Sequence, residues 1–159
     1  MARELITSWN DYQAAIDRLL AMASQKICIY DEDLSQLRLD SASRLPHLQR
    51  LLKTAVSEQS LMVAVRNAEP LRQKNPLLMA LLSSHNHRFA MQQTPPQLAH
   101  LRDAMILVDD KHALIRFERD QPRSKLLIDE SIELNPYRAR FQEIWDEGGE
   151  AISNTVLGL

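Results

Sequence analysis

The side chains able to act on a substrate or hold an ion are few in this chain: five histidines, one cysteine and several short runs of charge. His85 and His87 form the one close histidine pair. On a strand their spacing points both rings to one face. A metal needs further ligands, and no carboxylate lies between Glu69 and Asp103. The pair therefore reads as a polar strand entry, and no metal site is expected. Cys28 sits between Ile27 and Ile29, where a cysteine behaves as a small apolar residue rather than a nucleophile. Asp31-Glu32-Asp33 follows an apolar run, at the strand edge where open α/β sheets place their sites. Three carboxylates there could hold a divalent cation; a solvated acidic loop is the preferred reading.

Charge segregates along the chain. The net value is −2, with residues 1–37 at −3, 38–88 at +5, 89–126 at +1 and 127–159 at −5. A basic middle can attract phosphates, although a solvated face of a mixed fold is the plainer outcome. All three glycines lie at Gly148 or later. The first 147 residues thus hold no P-loop, no dinucleotide fingerprint and no G-x-S-x-G elbow, each of which needs glycine where a side chain would clash. A single cysteine excludes an internal disulfide and any multi-cysteine zinc site. No apolar run approaches the roughly 20 residues of a membrane span, and the opening residues lack the long apolar stretch of a signal peptide. With 159 residues, 45% hydrophobic and 25% charged, the expectation is one cytoplasmic globular domain with a real core.

The elements that must position these residues are legible from periodicity. Ser8 with Asp11 three residues on reads as a helix N-cap. Behind it Trp9, Tyr12, Ile16, Leu19, Leu20 and Ala23 share one helical face, up to about Ser24. Residues 26–30 (KICIY) read as a strand. A second helix starts near Ser43, with Pro46 in its first turn and Leu45, Leu48, Leu52 and Ala55 as its stripe. Residues 61–65 (LMVAV) form the next strand. Residues 68–74 read as a loop or single turn, before Asn75-Pro76 opens a short helix carrying Leu77, Leu78, Leu81 and Leu82. Residues 88–91 read as a third strand. Residues 105–108 and 113–117 flank Asp109-Asp110-Lys111-His112 as a hairpin without a glycine, and 125–128 add a strand. The last helix is predicted to have Asn135 as cap, Pro136 at its first position and Tyr137, Phe141, Ile144 and Trp145 inside, ending at Gly148-Gly149. Helices alternating with strands, then a hairpin, predict an α/β domain over residues 1–149. Its mixed sheet is parallel in the first half and antiparallel at one edge, with helices flanking it. Residues 150–159 read as a loosely held tail.

Residues 100–111, HLRDAMILVDDK, carry the most specific pattern. Their rhythm resembles the H-x-K-x-x-x-x-D strand of the phospholipase D-like superfamily. In those enzymes the histidine attacks phosphorus, the lysine neutralises the phosphate and the aspartate ends the strand at a tight turn. Matching Asp109 to the aspartate puts Arg102 in the histidine position and Ala104 in the lysine position. His100 lies two residues too early. An arginine, always protonated, cannot be the nucleophile. More broadly, residues 8–147 resemble a family of uncharacterised bacterial domains with a phospholipase D-like half-fold, often joined to or encoded beside acetyltransferases of the GNAT type. The order of elements, the strand ending in Asp109-Asp110, and a closing helix with Phe141 and Trp145 carry this likeness. It implies a lost active site and a homodimer, since the superfamily's cleft forms between two motif-bearing halves and this chain has length for one; no cofactor is expected.

Three functions follow as expectations. The first is a non-catalytic interaction module, with an acetyltransferase as the partner the resemblance implies and an apolar face to which Leu34, Leu37, Leu39 or residues 156–159 would contribute. The second is a phosphate reader for nucleic acid or a phosphorylated headgroup, using Arg102, Arg66, Arg116 and Lys111 around Asp109; arginine's planar fork pairs well with phosphate oxygens. In the plainer alternative, Arg102 pairs with Asp103 or Asp109 and pins the turn. The third, an enzyme using His100 or Asp109, lacks a visible nucleophile–base pair. The module is the preferred reading.

Overall fold

Apolar five-residue runs need cover on both faces, and this chain supplies it with helices on either side of one sheet. A computed structural model describes residues 1–153. The elements in chain order are β1 (Ala2–Ile6), α1 (Trp9–Met22), β2 (Ile27–Asp31), α2 (Leu45–Thr54), β3 (Leu61–Val65), α3 (Leu71–Lys74) and α4 (Pro76–Ser84). They continue with β4 (Phe89–Gln93), β5 (Ala104–Val108), β6 (His112–Arg116), β7 (Ser124–Ile128), α5 (Ser131–Asp146) and β8 (Glu150–Ala151). The sheet order is β1-β7-β6-β5-β2-β3-β4-β8. The pairs β2–β3 and β3–β4 are parallel, and the rest are antiparallel. This is the mixed, helix-flanked α/β sheet expected.

Strands β2, β3, β5 and β6 are buried along their whole length, which is why they read as continuous apolar runs rather than alternating ones. One face of the sheet packs α1, α2 and α4, with Ile16, Leu19, Leu51, Leu78 and Phe89 among its core residues. The other face, carrying Tyr30, Met105, Leu107, Ile115 and Leu127, packs α5 through Leu134, Phe141 and Ile144. Phe141 and Trp145 stack at 6.0 Å.

Several expectations are corrected by this arrangement. Strand β1 leaves no strand signature in the sequence: among the described residues it pairs only with β7, so Arg3, Glu4 and Leu5 remain exposed and give no clean alternation. Helix α5 starts at Ser131, one turn before Asn135. Burial of Leu134 extends its stripe, and Pro136 is tolerated inside because the carbonyl it leaves without a donor belongs to the exposed Ile132. His85 follows α4 and His87 lies in the turn before β4, not on a strand. Leu34, Leu37 and Leu39 are 0–1% exposed and part of the core, so they add nothing to an outer apolar face. Of the expected tail, Glu150 and Ala151 pair with Gln93 and Gln92 as strand β8, and Ile152 donates to the Met91 carbonyl; residues 154–159, including 156–159 of the expected apolar face, lie outside the described residues.

Cations of the basic middle serve the fold. Arg50 donates to the carbonyls of Leu20 and Ala23 at the end of α1, and Arg88 donates to the Ala55 carbonyl at the end of α2. Both sit where orphan carbonyls and the helix dipole favour a cation. Arg44, 5% exposed, donates to Asp17 and to the carbonyls of Leu37 and Gln13. Three of the eight cations of residues 38–88 are thus engaged by internal carbonyls and one carboxylate.

Candidate functional site

The carboxyl ends of β2, β3 and β6 and the start of β5 lie at one end of the sheet, because β5 runs antiparallel to β2 and β6 antiparallel to β5. Asp31, Arg66, Arg102 and Arg116 meet there. Asp109 and Lys111 do not join them: they lie beyond the other end of β5, about 16 Å away at roughly 3.3 Å per residue. The five candidate ligand residues therefore belong to two ends of the sheet.

Asp109 closes the hairpin. Its carboxylate accepts the backbone N–H groups of Ser24, Gln25 and Lys26 at 2.8–2.9 Å, and the Ser24 hydroxyl at 3.1 Å. Burial pushes its pKa up, but these donors outweigh it and hold the carboxyl below its ordinary value. Asp109 and Asp110 both have φ of 55°, a left-handed conformation that aspartate tolerates better than most residues. This is how the turn forms without glycine. Asp109 is thus a structural tie between β5 and the entry to β2.

At the other end, the arginines are tied to carboxylates. Arg102, 45% exposed in its side chain, pairs with Glu118 and Asp120. Its partners are neither Asp103 nor Asp109, because the chain leaving β6 folds back over the start of β5, with Arg119 N–H donating to the Arg102 carbonyl at 2.7 Å. Asp103 instead receives Arg140 from α5 at 2.8 Å. Arg66 packs over the Tyr30 ring at 4.9 Å and donates to Glu32 at 2.9 Å and to the Asp103 carbonyl. Glu32 also meets Arg119 at 3.0 Å. Burial raises the Glu32 pKa, while the hydrogen bonds from Arg66 and Arg119 prevail and lower it.

The acidic triplet is not a solvated loop throughout. Asp31 is 1% exposed, accepts the N–H groups of Leu34 and Asp33 and pairs with Arg116 at 2.9 Å. Burial pushes its carboxyl pKa up against the opposing pull of Arg116. Arg116, 2% exposed, lies over the rings of Tyr12 and Trp9 at 5.0 and 5.6 Å. Among the described residues its Nε and Nη1 have no hydrogen-bond partner.

This pair explains the position that the resemblance gave to a lysine. β5 lies between β2 and β6, so Asp31 and Arg116 must meet across it. The residue paired with Arg116 on β5 is Ala104, which is 1% exposed. Cross-strand partners place their side chains on the same face, and a methyl group there leaves room for the guanidinium. Arg116 thus lies beside Ala104, already neutralised by Asp31. The signal existed in the sequence, but finding it required the β5–β6 register. Among the described residues no three histidine, cysteine or carboxylate side chains gather as a metal set, and His100 is exposed on the loop before β5.

This mixed sheet, covered by helices on both faces, is similar in fold to two phospholipase D-like structures and to a chromatin protein. The phospholipase D family member Nuc from Salmonella typhimurium superposes with a TM-score of 0.64 at 10% identity, over 96% of this chain and 98% of that one. NucT from Helicobacter pylori gives 0.57 at 8% identity, over 94% and 98%. TrmBL2, an archaeal chromatin protein whose structure is described as showing a novel mode of DNA binding, gives 0.69 at 11% identity. It is matched over 96% of this chain and 54% of its own, so this chain spans about half of TrmBL2. No curated protein matches in sequence. The chain belongs to the family described as domain of unknown function DUF7931, which matches residues 8–154. Among the described residues no helix is long and apolar enough to cross a membrane.

Proposed function

We propose that this chain is a non-catalytic binding module with a degenerate phospholipase D-like cleft, acting as a homodimer, with an acetyltransferase as the protein partner implied by its family resemblance. The observation that carries the reading is the state of the two motif positions. Arg102 stands where a nucleophile would be and is held by two carboxylates, and Ala104 stands where a cation would be and is buried. Neither can attack phosphorus or donate a proton to a leaving group.

A second reading, a phosphate reader for nucleic acid, draws support from the fold likeness to a DNA-binding chromatin protein and to phospholipase D family members. It is disfavoured because Arg66, Arg102 and Arg116 already face carboxylates, which a phosphate would have to displace. The test is retention of short double-stranded DNA at two salt concentrations, alongside cleavage of a simple phosphodiester and molar mass by light scattering. The expected result is a dimer without cleavage and without salt-sensitive retention. Retention that falls steeply with salt and is lost in Arg102→Ala would replace the module with the phosphate reader. Cleavage above background would remove the non-catalytic reading.

A further inference from the structure

Helices α2 and α4 lie side by side on one face of the sheet. Each belongs to a connection between parallel strands, α2 from β2 to β3 and α4 from β3 to β4, so the two point the same way. Between them runs a groove of about 310 Å³. Its lining recurs at helical spacing, with Leu45, Gln49 and Lys53 on α2 facing Leu77, Leu81 and His85 along α4. One end is apolar, at Leu45 and at Leu77, which is 54% exposed. The other end, at Lys53 and His85, is basic. Partial burial lowers the His85 pKa, and His87, Lys53 and Arg88 lower it further. No carboxylate lines the groove. Lys53, His85 and Arg88 have no ion pair among the described residues.

Helix α5 packs on the opposite face of the sheet, and its outer side carries the matching pattern. Ile132, Pro136, Ala139, Glu143 and Asp146 are all exposed and, at steps of three and four, form one stripe. The stripe is apolar where the helix begins, with Ile132 87% exposed, and acidic where it ends. Glu143 and Asp146 have no ion pair among the described residues, whereas Arg138, beside the stripe, is held by Asp110 and Asn135. Ile132 to Glu143 spans about 16 Å and Leu77 to His85 about 12 Å, a difference within reach of the long Lys53 side chain. An apolar groove alone fits many helices; a groove and a helix graded the same way, with opposite charge at one end, fit one another. We propose that the α2–α4 groove receives helix α5 of a second copy of this chain, with Ile132 against Leu45 and Leu77 and the acidic end against Lys53 and His85. Because groove and helix lie on opposite faces of the sheet, the contact cannot close as a two-fold dimer, and it adds copies head to tail. One helix in a groove two turns long is a small contact, so the assembly forms only at high protein concentration. It goes beyond the binding-module reading and its homodimer, and depends on neither.

The experiment is sedimentation velocity of the intact chain over a range of protein concentrations, at low and high salt. The expected result is a mean mass that climbs past that of a dimer with concentration at low salt, and less at high salt. Lys53→Glu and Glu143→Lys, both at exposed positions, should each abolish the climb alone, since like charges then face one another. An equimolar mixture of the two variants should restore it, because every groove then meets a helix of opposite charge. A climb that persists in Lys53→Glu overturns the proposal, as does a mixture that stays at the mass of its components. A parent fixed at the dimer mass also overturns it and leaves the homodimer standing. A parent that climbs from monomer with no dimer step removes the homodimer and supports this contact.

Discussion

Asp109 looked like a candidate ligand residue because it matched a catalytic strand's final aspartate, and its surroundings give it another task. Four donors converge on one carboxylate, a load that neither a neutral side chain nor water reproduces equally well, since charge-assisted bonds are about twice as strong. Asp109→Asn tolerates the same left-handed backbone and keeps one acceptor oxygen. It is expected to lower the unfolding free energy by about 1–2 kcal/mol, read from the urea midpoint at unchanged slope. Asp31 and Arg116 differ in kind. Each is buried at 1–2% exposure, so each depends on the other, and removing either strands a charge.

Among the elements, the long connection from β2 to α2 is held by polar ties over a buried leucine row. Asp31 caps its first turn through Leu34, and Arg44 joins its end to α1. Asp40 accepts the N–H groups of Leu77 and Leu78 at the start of α4. Arg44→Met would fill the space of the side chain while leaving the carbonyls of Leu37 and Gln13 without their donor. The expected cost is about 2–3 kcal/mol, and amide exchange should accelerate across residues 34–44 more than in β2 or β3. Uniform acceleration across the sheet would show that this connection has no independent stability. The leucines at 34, 37 and 39 were legible as apolar but not as buried, because no helical or strand period places them. Only the ties that fold the connection back decide which side they face.

For the whole molecule, stability should fall toward acid in two steps. His112 is 8% exposed and accepts the Asp129 N–H at its Nδ1, at 2.9 Å. Burial lowers its pKa, against opposing pulls from Asp109 and Asp129. Its folded pKa thus lies below the unfolded value near 6.5, and its stabilisation is present above that value and lost as pH falls through the folded one. The second step comes below about pH 4, the unfolded carboxylate range. Asp109 and Glu32, both held down in the folded state, lose their contribution as pH falls through their folded values. Thermal midpoints against pH should show both steps, the first absent in His112→Gln and the second reduced in Asp109→Asn. A profile flat between pH 7 and 5 would contradict the role of His112.

The sequence by itself determined the inner elements, α1 through α5, and their order, but neither of the edge strands β1 and β8. Periods of 3.6 along 9–22 and 45–54, and unbroken apolar runs at 27–30, 61–65 and 105–108, depend on local spacing and on what must leave water. The rhythm of residues 100–111 also carried the fold resemblance, since it records a strand and the turn that ends it. Tertiary structure decided which charges meet. Asp31 and Arg116 are 85 residues apart in the chain and face one another because strand register aligns Arg116 with a residue as small as Ala104 on the strand between them. Arg102 found Glu118 and Asp120 because the segment after β6 folds back over it. Pairing of this kind depends on register and on the path of connections, and neither leaves a period in the sequence.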